Sequence, residues 1–164
     1  MPTQQDQFER IAMPHVRSLL RVARRLTVDS AAAEDLVQET MLLAWRGFHG
    51  FRRDSNARAW LFRILLNAFY GQVRKVSRAP QPVPAVVDAK LQEAVEIEEA
   101  LLALPIDQRS VLLLCIVEGF TCREAAEILN VPIGTVMSRL SRARQELRKS
   151  LAPRVKAEAK AAFQ

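Results

Sequence analysis

Apolar residues recur at intervals of three and four along most of this chain, and no stretch alternates apolar with polar in the manner of a strand. That period belongs to the amphipathic helix, so the expected fold class is all-α. A first helical stretch runs from Phe8 to Leu26. Pro14 divides it, at the first turn of a longer helix where its missing N–H does no harm. Arg17, Arg21, Arg24 and Arg25 mark its wet side. Asp29 or Ser30 caps a second helix, Ala31 to Trp45. Its buried stripe is Ala33, Leu36, Val37, Thr40, Met41 and Ala44, while Asp35, Gln38 and Glu39 project together from another face. Gly47 and Gly50 bracket a loop that sets Phe48, His49 and Phe51 among arginines. A long helix follows, Ala57 to Val76, with Trp60, Ile64, Leu65, Ala68 and Phe69 as its core side.

The pattern breaks over residues 79–87, APQPVPAVV, which carry three prolines. Proline-rich chain extends about 3.1 Å per residue, so this tether reaches roughly 30 Å. A domain boundary belongs here: a first helical domain over residues 1–78, a linker over 79–88, a second helical domain over 89–150 and a tail over 151–164. Each core is small and marginal alone, so stability leans on partners. The second domain opens with an acidic helix, Ala89 to Ala103, ended by Leu104-Pro105. Asp107 caps an apolar helix over Val111 to Val117, and Gly119 stops it.

The last apolar segment is the most specific. Thr121 and Glu124 fit a capping box. Ala125, Ile128 and Leu129 face inward, and Asn130-Val131-Pro132 makes a turn in which Asn accepts the left-handed backbone. Val136, Leu140, Ala143 and Leu147 then form one buried stripe. Thr135, Ser138, Arg139 and Arg142 fall on a different face. Two helices joined by a three-residue turn, with arginines on the second, make a helix-turn-helix, which lays its second helix in the major groove of DNA. Arg bonds guanine through two N–H groups, and Gly134 and Thr135 place N–H groups at the helix start, where a phosphate is attracted. The bland alternative is a helical hairpin with a solvated basic face. The agreement in register of box, turn and both stripes favours DNA.

Charge sharpens this picture. The net charge of +6 suits a polyanion partner. Arg46 to Arg78 hold eight basic residues against Asp54 alone, whereas Ala79 to Gln108 hold six acids against Lys90 alone. No apolar run reaches a membrane span and the N-terminus is no signal peptide, so the expected location is cytoplasmic, without membrane insertion. Cys115 and Cys122, separated by six residues and with no His nearby, fit neither a zinc knuckle nor a redox pair and read as buried reduced thiols. No metal or other cofactor is implied. His15 and His49 are isolated and no catalytic constellation appears, so an enzyme is not expected.

Pro105-x-x-x-Arg109, Glu118-Gly119-Phe120-Thr121, Glu124-Ala125-Ala126, Pro132-x-Gly134-Thr135-Val136-x-Ser138-Arg139 and Arg142-Ala143-Arg144 resemble region 4 of extracytoplasmic-function sigma factors, members of the sigma-70 family of bacterial RNA polymerase. Ala33 to Thr40 resembles the polymerase-binding helix of region 2 in that family. Ala59-Trp60-Leu61 through Asn67, with Arg74-Lys75, resembles its promoter-opening segment. Gly71 stands where many members carry Asp, and Met137 where a basic residue is frequent.

The resemblance implies a sigma factor that directs core RNA polymerase to promoters and helps open them, in a stress response under an anti-sigma factor. It implies that Asp35, Gln38 and Glu39 meet the β′ clamp helices, with further contact to the β subunit. It assigns the first domain, Asn67 included, to the −10 element of promoter DNA and the second to the −35 element. Melting costs about 1.4 kcal/mol per base-pair step, and a stacked base returns roughly 1–3 kcal/mol. Phe51, Arg52, Arg53, Asn56 and Arg58 are the residues expected to hold unstacked bases. Arg74, Lys75 and Arg78 are expected on backbone phosphate. Gly134, Thr135, Ser138, Arg139 and Arg142 are expected on the upstream element. The rivals are a stand-alone helix-turn-helix regulator, which leaves the first domain without purpose, and an adaptor that imitates a sigma factor without opening DNA.

Overall fold

The computed structural model describes residues 1–27, 29–76 and 89–162. Among them there is no strand; the elements are α-helices with short 3₁₀ and π turns. The fold is all-α, as the periodicity requires. The proline-rich linker, 79–88, lies outside the described residues, as does Arg78.

The first body is built from α1 (Gln4–Ala12), α2 (Val16–Leu26), α3 (Ser30–Gly47) and α4 (Ala57–Val76). Its first helix starts earlier than the Phe8 expected from apolar periodicity. Thr3 and Asp6 form a capping box there, each side chain bonded to the other's backbone N–H. Pro14 sits in a 3₁₀ turn, Met13–His15, between α1 and α2. Asp29 caps α3 through a 2.7 Å bond from the Ala32 N–H. The α3 stripe is buried as expected, with Met41 half-buried at its edge.

The long helix α4 corrects the one-sided reading of it. Leu61, Phe62 and Leu66 are buried along with Leu65, Ala68 and Phe69, because α4 packs on α1, α2 and α3 and also on α7 (Cys122–Leu129) of the second body. An amphipathic stripe accounts for one contact face only; a helix at a seam needs two.

The second body comprises α5 (Ala89–Ala103), α6 (Ile106–Leu112), α7 and α8 (Ile133–Ala162). Asp107 does not cap α6. Pro105 stands at the N-cap, and the Asp107 carboxylate instead accepts from Tyr70 Oη at 3.0 Å and pairs with Arg139 at 3.0 Å. The helix widens into a π turn over Leu113–Val117, closed by the Glu118 N–H on the Leu113 carbonyl at 3.0 Å. Gly119, with φ 72°, then reverses the chain. The capping box at Thr121 and Glu124 is present, and Asn130 ends α7 at φ 53°. Val136, Leu140 and Ala143 are buried, with Leu147 half-buried. The backbone of residues 151–162 continues α8 as helix.

The two bodies meet along a seam that the sequence reading did not anticipate. The wide turn and Gly119 bring Glu118 and Phe120 against α2 and α4. Phe120 meets Phe62 edge-on at 5.4 Å. Arg63 donates to the Glu127 carbonyl at 2.8 Å. Buried Arg109 donates to Leu26 O at 3.1 Å and to Leu102 O and Leu104 O in its own body at 2.8 and 3.1 Å.

Candidate nucleic-acid interface

The outer face of α3 presents Asp35, Gln38 and Glu39 to solvent, because their positions fall between the rows of the buried stripe. Glu39 also accepts from Gln72 Nε2 of α4 at 2.6 Å, which fixes its direction. One turn further on, Leu42 and Leu43 are exposed. The sequence reading passed over this apolar pair; its signal was that both leucines lie off the stripe.

The loop after α3 is more ordered than its composition suggests. Phe48 is buried, and Phe51 is half-buried, stacked on Phe48 at 5.9 Å and 4.6 Å from Trp60. Phe8 and Trp45 extend the same aromatic cluster. Phe51 therefore has a packing role in this conformation, and Trp60 joins it. Arg52 is exposed and paired with Asp54 at 3.3 Å. Arg53 is exposed and donates to Gln7. Asn56 is used as a helix cap, its Oδ1 accepting from the Ala59 N–H at 3.0 Å. Asn67, Arg74 and Lys75 are exposed on α4.

Arg58 lies elsewhere, in the seam. Its guanidinium donates to the Glu118 carboxylate at 2.6 Å and to the Glu118 carbonyl at 2.7 Å. It also covers the rings of Phe120 at 4.2 Å and Phe62 at 5.6 Å. Arg21 holds the same carboxylate at 2.8 and 3.1 Å. Burial pushes the Glu118 carboxyl up, and the hydrogen bonds and charges of the two arginines outweigh it, holding the carboxyl below its ordinary value.

On α8, Gly134, Ser138 and Arg142 are exposed, and a Cβ placed on Gly134 would meet open space. Thr135 is half-buried, and its N–H is taken by the Pro132 carbonyl at 3.0 Å, so it is not free for a phosphate as expected. Arg139 is also only partly available: it is bound to Asp107, which Tyr70 anchors from the first body. Burial, helped by the charge and bond of Asp107 and opposed by the bond to Ser110, takes the Tyr70 hydroxyl up to about 12, so it stays a donor at neutral pH. Of the two arginines expected on the upstream element, Arg142 is the exposed one, with no such partner among the described contacts.

Among the described residues no group of three or more His, Cys, Asp and Glu is placed to hold a metal, and no helix is long and apolar enough to cross a membrane. Cys115 and Cys122 are free and half-buried. Burial, then the neighbouring Cys122, push the Cys115 thiol up to about 11. Alkylation of the native protein at pH 8 should therefore be roughly a hundredfold slower at Cys115 than at a free thiol, whose ordinary pKa is ~8.5. A mass-spectrometric time course checks this, and labelling at the free-thiol rate would contradict it.

The chain matches the family model for sigma-70 region 2 over residues 11–79 and that for sigma-70 region 4 over residues 94–147. It is 35% identical over 150 residues to the ECF RNA polymerase sigma factor SigM of Mycobacterium tuberculosis, covering 88% of this chain and 76% of that one. It is 38% identical over 141 residues to the ECF RNA polymerase sigma factor EcfG of Rhodopseudomonas palustris, covering 80% and 78%. The fold is similar to that of the sigma factor RpoE solved with the anti-sigma factor NepR from Bartonella quintana, with a TM-score of 0.80, 35% identity and coverage of 89% and 97%. It is also similar to CnrH solved with the cytosolic domain of CnrY, with a TM-score of 0.74, 29% identity and coverage of 92% and 90%.

Proposed function

Because this chain belongs to the extracytoplasmic-function branch of the sigma-70 family of bacterial RNA polymerase sigma factors, we propose a division of its work between named surfaces. As a sigma factor it binds core polymerase, directs it to promoters and helps open the DNA. Asp35, Gln38 and Glu39, with Leu42 and Leu43 beside them, dock on the polymerase. Arg52, Arg53, Asn67, Arg74 and Lys75 meet the −10 element, joined by Arg58, Asn56 and Phe51 once DNA is engaged. Gly134, Ser138 and Arg142, with Thr135 and Arg139, read the −35 element. The domains divide at residues 79–88, the factor works in the cytoplasm, and an anti-sigma factor of the kind seen with the similar folds restrains it.

The observation that carries this reading is that the acidic-apolar face of α3 and the arginine-bearing face of α8 are both exposed and lie on separate bodies. The seam adds a condition. Two elements about 25 base pairs apart are separated by roughly 85 Å of helix axis. A compact chain of this length has a radius of gyration of about 15 Å. The bodies must part before both elements are held, and parting releases Arg58 from Glu118 and withdraws the Tyr70 hydroxyl that anchors Asp107 beside Arg139.

Asp35→Ala is expected to weaken binding to core polymerase roughly tenfold and to leave upstream-element affinity unchanged. Arg142→Ala should do the reverse, at a cost of ~1–3 kcal/mol in promoter binding. Core-binding titrations and promoter competition with the reconstituted holoenzyme measure both. Intact core binding in Asp35→Ala combined with lost promoter contact would sink the division.

A further inference from the structure

The first three turns of α8, Ile133 to Arg144, hold no Asn or Gln. Those are the side chains that read adenine through paired hydrogen bonds. The same turns carry Arg142 for guanine, and no side chain in them makes the paired bonds to adenine. An A·T pair also presents the thymine C5-methyl group in the major groove, a base-specific mark recognised by apolar contact.

Met137 is 57% exposed, in the N-terminal part of the second helix of a helix-turn-helix, the part that meets base edges. One turn before it, Ile133 is 46% exposed, and at i,i+4 the two form an apolar flank beside the polar face. Gly134, Ser138 and Ser141 around it are small, leaving Met137 the longest uncharged side chain on that surface. A core role is ruled out by its exposure, since the stripe that packs inward is Val136, Leu140 and Ala143. A thioether has no N–H to give a guanine or a phosphate. It is flexible and polarisable, suited to a methyl group.

We propose that Met137 is a specificity-determining residue that reads a thymine methyl group in the upstream promoter element. The proposal rests on the reading of α8 as the upstream reader and names the base chemistry it selects.

The test uses the full chain reconstituted with core polymerase, on a promoter fragment that the holoenzyme transcribes. Each thymine of the upstream element is replaced singly by deoxyuridine, which removes only the C5-methyl group. One position should weaken competition binding about fourfold, equivalent to ~0.8 kcal/mol for one methyl. Met137→Ala should bind the unmodified fragment about fourfold more weakly and lose the uridine penalty, while Met137→Leu should keep it. Indifference of the wild type to every substitution, an upstream element without thymine on either strand, or an equal penalty in Met137→Ala overturns the proposal while leaving initiation intact. Failure to support initiation from any promoter overturns the underlying reading as well.

Discussion

Phe62→Ala is expected to lower the stability of the chain by about 4 kcal/mol, the range for emptying a fully buried aromatic site. Phe62 is fully buried on α4 and meets Phe120 of the second body edge-on. Its removal therefore opens a cavity in one core and withdraws a wall from the seam. At roughly 2–4 °C per kcal/mol for a chain of this size, the melting temperature should fall by about 10 °C or more. Phe8→Ala is the control. It empties the aromatic cluster with Trp45 and Phe48, and should destabilise the chain without loosening the seam. Calorimetry together with small-angle scattering separates the two. A fall of under about 3 °C in Phe62→Ala, or equal expansion in both variants, would contradict the packing described.

Glu118→Ala should have the second-largest effect. Its carboxylate is buried and takes charge-assisted bonds from Arg21 and Arg58, each bond of that kind being worth ~1.5–3 kcal/mol. Both arginines remain partly exposed, at 47% and 30% of their side chains, and regain water when the acid is removed. The cost is then below that of a stranded buried charge, about 2 kcal/mol. Much of it falls on the seam, so the radius of gyration should rise above about 15 Å and core polymerase should be captured faster. Acid should imitate the substitution. A carboxyl held below its ordinary value of 4.5 adds stability that is complete above that pH and is lost as pH falls through the lowered value. Asp6 and Glu124 are also lowered, by bonds to Thr3 and Thr121. The diagnostic is therefore the difference between wild type and Glu118→Gln, which should be constant from pH 7 to about 5 and shrink below. An unchanged radius at neutral pH, with no such shrinkage, would show that Glu118 does not hold the seam.

The helix-turn-helix was legible because its signals are local. A capping box spans four residues, the Asn130 turn three, and the stripe on α8 repeats within the helix that it buries. The α3 surface was legible for the same reason, since burial of Ala33, Leu36, Val37 and Thr40 fixes where Asp35 and Glu39 point. The seam was not. Arg21 and Glu118 are 97 positions apart, and nothing in the composition of Glu118-Gly119-Phe120 says that the acid is enclosed. The π turn was hidden by leucines that suit a widened turn as well as an α-helix. Asp107 sits where a cap is usual, and its partners Tyr70 and Arg139 come from other elements. The Thr3–Asp6 box lies ahead of Phe8, the first buried apolar residue of α1, so apolar periodicity alone does not reach it.

Helix α8 runs unbroken for 30 residues from Ile133 to Ala162. At about 1.5 Å per residue that is a rod of roughly 45 Å. A tilt of about 10° at its N-terminal end swings the far end by roughly 8 Å. The rod is thus a mechanical lever, magnifying a small docking adjustment into a displacement large enough for a spectroscopic ruler to follow.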